Sequence, residues 1–181
     1  MIKKDDYALV LDYLANGYPM SLSRDMKSVV QAIGVTHLAL LELAPIRGAQ
    51  IDIKEKVYIG PDRRDKIYYI IGRLRADKMT ETAKIQLHEF VENHVGEHEQ
   101  EFVTFFNTAQ AINTRLHQLE LLPGFGRKHT QELLNERNQK TFESFEEMKQ
   151  RIKNIPDPKK AIEKRIIEEL LENPRQRLFI M

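Results

Sequence analysis

The 181 residues carry 28 Lys or Arg against 27 Asp or Glu, a formal net charge of +1, with 41% hydrophobic residues and no cysteine. That length accommodates one ordinary domain or two small ones with buried cores, and the missing thiols exclude disulfides, thiolate catalysis and cysteine-based zinc sites. No apolar run approaches the roughly 18 residues of a membrane span, and Met1 to Asp6 leads into no signal-type segment, so a cytoplasmic protein with no membrane contact is expected.

The first ~75 residues alternate in the manner of strands. Tyr7 to Leu14 is one candidate, closed by Asn16-Gly17-Tyr18-Pro19, and Val35 to Ala44, closed by Pro45, is another. In Ile51 to Ile59 the residues Ile51, Ile53, Val57 and Ile59 fall on one face and Asp52, Lys54, Lys56 and Tyr58 on the other. The loop Gly60 to Asp65 then leads into the Ile- and Tyr-rich Lys66 to Leu74, which predicts a β-hairpin with a charged tip. Four or five short strands suit a small barrel, OB-like or SH3-like.

Near Ala76 to Thr80 the period becomes helical. Leu87, Phe90, Val91 and Val95 share one helix face, and Phe102, Val103, Phe105, Phe106 and Ala109 mark the next helix. Short helices are expected over Thr114 to Leu121 and Arg127 to Asn138. Ser144 with Glu147 has the spacing of a capping box, starting a helix to about Lys153, and Asp157 followed by Pro158 starts another, ended by Asn173-Pro174. The tail Arg175 to Met181 has the composition of a short strand. The expected fold is α+β: a β-barrel over 1–78, connecting helices over 79–112, a helix-hairpin-helix domain over 113–174 and a tail over 175–181.

The segment with the clearest chemistry is Leu122-Pro123-Gly124-Phe125-Gly126-Arg127-Lys128. Pro123 stops one helix, and the two glycines permit a tight reversal while leaving the backbone open to close approach. The amides that follow open a helix, where N–H groups lack internal acceptors and the dipole is positive, so a phosphate oxygen is the natural ligand, with Arg127 and Lys128 adding full charges. Leu121, Leu122, Leu133 and Leu134 are placed to pin the helices, and Phe125 to fill the gap between them. From Leu119 to Arg137 the pattern resembles the helix-hairpin-helix motif. A second, degraded copy follows from Phe145 to Leu171, in which Asp157 would repel phosphate and Pro158 removes an amide.

The near-neutral total charge speaks against a polyanion ligand, but the charge is zoned. Lys54 to Lys78 holds eight Lys or Arg against four Asp or Glu, and Lys149 to Arg165 seven against two, whereas Glu81 to Glu101 holds six Glu and the single Lys84. On the barrel, Arg63, Arg64, Lys66, Arg73 and Arg75 are candidate phosphate contacts, and Tyr58, Tyr68 or Tyr69 candidate platforms for an unpaired base. His88, His94 and His98 have an interrupted helical spacing that fits a partly buried pair better than a metal site. Gly124-x-Gly126 is no dinucleotide fingerprint, because no strand precedes it and the third glycine is missing. No catalytic residues, metal or cofactor are expected.

Across its whole length the chain also resembles an archaeal family, the domain of unknown function numbered 655. The resemblance rests on Leu40-Leu41-Glu42-Leu43, Glu55-Lys56-Val57-Tyr58-Ile59-Gly60 with Arg64-Asp65-Lys66-Ile67, Phe105-Phe106-Asn107, Arg115-Leu116-His117 and Phe142-Glu143-Ser144-Phe145. It implies a β-barrel joined to a helix-hairpin-helix domain, RNA or DNA as partner, and a translation or ribosome-assembly setting. The expectation is therefore a non-enzymatic protein that grips the phosphate backbone of RNA, or less favourably DNA, with little sequence specificity. A DNA repair or replication accessory and a protein-interaction scaffold are the alternatives.

Overall fold

A computed structural model describes residues 4–19 and 27–180. The chain divides into two compact units. One runs through Glu89 and takes in Leu170–Asn173 and Ile180; the other comprises Phe90–Glu169 and Pro174–Phe179. The fold is mixed α+β, an antiparallel sheet followed by helices.

In the first unit five strands, β1 (Tyr7–Leu14), β2 (Val29–Gly34), β3 (Leu40–Pro45), β4 (Lys56–Tyr58) and β5 (Ile67–Arg73), form one sheet in the order β4-β1-β2-β3-β5. Every pairing is antiparallel. Ala8, Val10, Val30, Ala32, Leu43, Ile51, Val57, Ile59 and Ile67 make its core. The sheet is a curled half-barrel: β4 and β5 are its two edges and do not pair with each other, so the expected closed barrel is not formed.

The expected hairpin between Ile51–Ile59 and Lys66–Leu74 is also absent. β4 lies against β1 and β5 against β3, on opposite edges. The cause is local. Lys54 adopts φ 69° in a turn with Ile53, so the strand begins only at Lys56, and the turn bonds to β1 through Lys54 N–H to Val10 O at 2.8 Å and Val10 N–H to Glu55 O at 2.8 Å. The candidate Val35–Ala44 is shortened for a similar reason: Leu38 has φ 55°, and the strand begins only at Leu40. β2 escaped the sequence reading because every one of its six residues is buried, leaving no polar alternation to read.

Gln31, buried in β2, ties the sheet to the entry of the first helix. Its Nε2 donates to Lys78 O (2.7 Å) and to the Tyr18 hydroxyl (3.2 Å), and its Oε1 accepts from Thr80 N–H (3.1 Å). Tyr18 in turn donates to Glu42 (2.9 Å), and burial, offset in part by the Gln31 hydrogen bond, pushes the Tyr18 phenol up to about 12. Thr80 Oγ1 donates to Asp12 and accepts from Ala83 N–H, capping that helix.

Helices α1 (Glu81–Glu97), α2 (Glu99–Thr108), α3 (Arg127–Gln139), α4 (Phe145–Arg151) and α5 (Pro158–Leu171) follow, and the division between the units falls inside α1. The expected helix from Thr114 is replaced by two short paired strands, β6 (Ala111–Asn113) and β7 (Leu116–His117), then a 3-10 turn, Gln118–Leu121. Ser144 Oγ accepts from Glu147 N–H (3.1 Å), but the Glu147 carboxylate accepts from Glu143 N–H rather than Ser144, so only half of the capping box forms. Asp157 caps α5 through Lys160 N–H (3.1 Å). No helix among the described residues is long and apolar enough to cross a membrane.

The tail forms no strand as far as Ile180; Met181 lies outside the described residues. It is held instead by a buried ion pair in α5. Arg165 Nε donates to Glu169 Oε1 (2.8 Å), Arg165 Nη2 to Gln176 O (2.5 Å), and the Glu169 carboxylate accepts from Leu178 N–H (2.6 Å) and Phe179 N–H (3.0 Å). The Phe179 ring then sits edge-on to Phe102 and Phe105, at 5.6 and 5.0 Å.

Candidate nucleic-acid interface

The reversal between the 3-10 turn and α3 is built as its residues dictate. Gly124 has φ 86°, in the left-handed region, and a Cβ there would also press on Pro156 at 3.4 Å. Phe125 turns inward, 3% exposed, with its ring 5.9 Å from Phe106. Leu122 and Leu133 are fully enclosed, and Leu121 and Leu134 half-buried. Gly126 is the N-cap of α3 and supplies no side-chain cap.

The backbone bookkeeping at this corner is short. Phe125 N–H donates to Leu122 O (3.0 Å) and Thr130 N–H to Gly126 O (3.0 Å). Among the described residues no acceptor meets the amides of Gly124, Gly126, Arg127, Lys128 or His129. Gly124, Gly126, Arg127 and Lys128 are exposed, and neither cation has a carboxylate within 4.0 Å. Phe125, one of the expected site residues, supports the hairpin from within: its ring is buried and its amide donates to Leu122 O.

Beside the hairpin lies an open depression of about 580 Å³, lined by Leu121 to Gly126 with Glu120 and Glu168. Both carboxylates have partners. Glu120 accepts from His117 N–H (3.2 Å), and Glu168 pairs with Arg165 Nη1 (3.1 Å). Their charge nonetheless makes the depression a poor anion pocket, and Arg127 and Lys128 are not among the residues that line it.

His117 prepares the turn. Its Nδ1 accepts from Leu119 N–H (3.1 Å), which requires an unprotonated nitrogen, and burial followed by the Arg137 charge lowers its pKa. His94 stacks on His98 (ring centroids 4.2 Å apart), and burial, then the neighbouring His98, lowers its pKa as well. Among the described residues no group of three or more His, Asp or Glu is arranged to hold a metal ion.

A lowered histidine pKa means that the folded chain binds fewer protons than the unfolded one. The stabilisation is complete above the ordinary value of 6.5 and is lost as pH falls through the lowered values. Thermal unfolding should therefore show a falling Tm between pH 7.5 and 5.5, and His94→Phe with His117→Asn should flatten that slope. An unchanged slope in the double variant would remove these two histidines as its origin.

The sheet candidates separate into used and open side chains. Tyr58 donates to Asp62 (3.1 Å) and packs edge-on against Tyr7 (5.2 Å). Arg64 donates to Gly60 O (2.8 Å) and Tyr68 O (3.5 Å), Lys66 pairs closely with Glu55, and Arg75 grips Asp77 through two hydrogen bonds of 3.0 Å. Tyr58, Arg63 and Lys66 do meet, around a cleft of about 500 Å³, but Glu55, Asp62 and Asp65 share it. Of these five cations Arg63 and Arg73 are exposed and have no carboxylate partner among the described residues.

The basic zone Lys149 to Arg165 also dissolves. Arg151 is internal, donating to Glu136 O (2.6 Å) and Lys140 O (2.8 Å) at the end of α3; Arg165 is buried, Lys149 pairs with Glu146 and Lys159 with Glu163. Lys153, Lys160 and Lys164 remain exposed. In the degraded second copy the Asp157 carboxylate already takes the Lys160 amide at the start of α5. Arg115 is exposed at the turn between β6 and β7, where Asn113 Oδ1 accepts from its N–H (2.8 Å).

Comparison with known proteins places the whole of this architecture in one group. The crystal structure of Af1531 from Archaeoglobus fulgidus superposes with a TM-score of 0.83 at 38% identity, covering 98% of this chain and 100% of that one. The uncharacterised protein MJ0038 of Methanocaldococcus jannaschii is 38% identical over 178 residues, 98% of this chain and 80% of the relative. The family model described as "Protein of unknown function (DUF655)" matches residues 4–181, and the chain belongs to that family.

Proposed function

We propose that this chain binds nucleic acid as a helix-hairpin-helix protein, by its phosphate backbone and without catalysis, taking one phosphate at the amides of Gly124 and Gly126 to Lys128. The observation that carries the reading is the run of exposed amides without acceptors, beside two unpaired cations, at the start of a 13-residue helix. Amides there align with the helix dipole and discriminate no base, so affinity without sequence preference follows. RNA is favoured over DNA because RNA presents the unpaired loops that exposed aromatics recognise.

A salt titration tests this directly. Wild-type binding to a short RNA should weaken linearly in log affinity against log salt, by about 0.7 to 0.9 per phosphate neutralised. The variant Arg127→Ala, Lys128→Ala should lose up to two of those increments. Binding that is salt-independent, or a protein that captures polypeptides and no nucleic acid, overturns the proposal.

A further inference from the structure

Strand β5 is an edge strand whose exposed side chains are apolar: Tyr68 is 72% exposed, Tyr69 45%, Ile70 36% and Ile71 44%. An uncovered hydrophobic edge of this kind signals a partner. Which partner is narrowed by the strand's own irregularities. Pairing with β3 slips twice, leaving Tyr68 and Ile71 without opposite numbers. Such bulges interrupt the regular ladder that an added strand needs.

The bulge at Tyr68 has a second effect. Consecutive residues of a regular strand point to opposite faces, yet here the Tyr68 and Tyr69 rings meet edge-to-face, with centroids 5.5 Å apart. The Arg64 guanidinium reaching Tyr68 O holds the preceding loop, and with it the neighbouring Arg63, beside the strand. Arg73 stands at the strand's other end, about 16 Å along at about 3.3 Å per residue. Among the described residues Arg63 and Arg73 are exposed cations with no carboxylate partner, and Tyr68 to Arg73 holds no carboxylate.

We propose that β5 is a single-strand platform, on which unpaired bases stack against Tyr68 and Tyr69 while Arg63 and Arg73 hold the flanking phosphates. This rests on the nucleic-acid reading above and adds to it a ligand form, unpaired RNA, at a site separate from the hairpin. Stacking on aromatic faces is tolerant of base identity.

Oligouridylate of 12 nucleotides and its duplex with oligoadenylate are the probes. With six Tyr and no Trp, tyrosine emission reports stacking without a stronger emitter over it. The wild type should bind the single strand more tightly than the duplex, with quenched emission. Tyr68→Ala and Tyr68→Leu should each weaken single-strand binding about tenfold with Tm unchanged. Arg127→Ala with Lys128→Ala should lower affinity but keep full quenching at saturation. Equal single-strand affinity in Tyr68→Ala and wild type overturns the platform and leaves the hairpin reading standing. Failure of both probes to bind overturns both readings. A dimer in sedimentation that Tyr69→Lys dissociates gives the edge to a second copy of the chain, and also overturns the platform.

Discussion

Glu169→Ala is expected to destabilise the chain by about 3–5 kcal/mol, the cost of breaking a buried ion pair. The side chain of Glu169 is fully enclosed and that of Arg165 nearly so. Removing the carboxylate leaves the guanidinium with Glu168 as its remaining carboxylate partner and takes the acceptor from the Leu178 and Phe179 amides. Denaturant unfolding measures the loss, and chymotryptic cleavage after Phe179 reports release of the tail. The double variant Arg165→Met, Glu169→Leu removes both charges but not the orphaned amides. It should recover part of the stability while the tail remains cleavable, because an unmet buried amide still costs about 1–3 kcal/mol. Full recovery with a protected tail would show that the pair does not anchor it.

The second large effect is expected at Phe125. Phe125→Ala empties a site enclosed by Phe106 and the hairpin and should cost about 3–5 kcal/mol. Phe125→Leu should cost about 1.5 kcal/mol or less, because much of the apolar volume remains. The informative comparison is binding. If Phe125 acts only by shaping the reversal, the leucine variant binds RNA as the wild type does. A large loss of affinity in a leucine variant that folds normally would mean that the ring itself reaches the ligand, and that the hairpin opens when it binds.

These expectations rest on features of very different visibility in the sequence. The Pro123 to Lys128 reversal was legible because its cause is local: a proline, two glycines and a helix start set their own backbone, whatever lies around them. The same holds for the cap at Asp157 and for β1, whose bounds coincide with the alternation of Tyr7 to Leu14. Phe125 was legible as a packing residue, from its place between two leucine pairs, but not as one whose amide is already spent.

What stayed hidden depended on distant partners. Alternation assigns a strand's faces and not its neighbours, so the segments before and after Gly60–Asp65 read as a hairpin while they pair with different strands. Arg165 counted among the cations of the basic zone Lys149 to Arg165; only its burial with Glu169 turns it into the anchor of the tail. Arg151 likewise counted toward that basic zone, whereas its guanidinium is spent on carbonyls at the end of α3. The amino-acid sequence by itself determined where the backbone reverses, caps and exposes its amides, because those are short-range consequences of residue type. Tertiary structure alone decided which strands are edges and which cations are left without partners, because pairing and burial are properties of residues far apart in the chain.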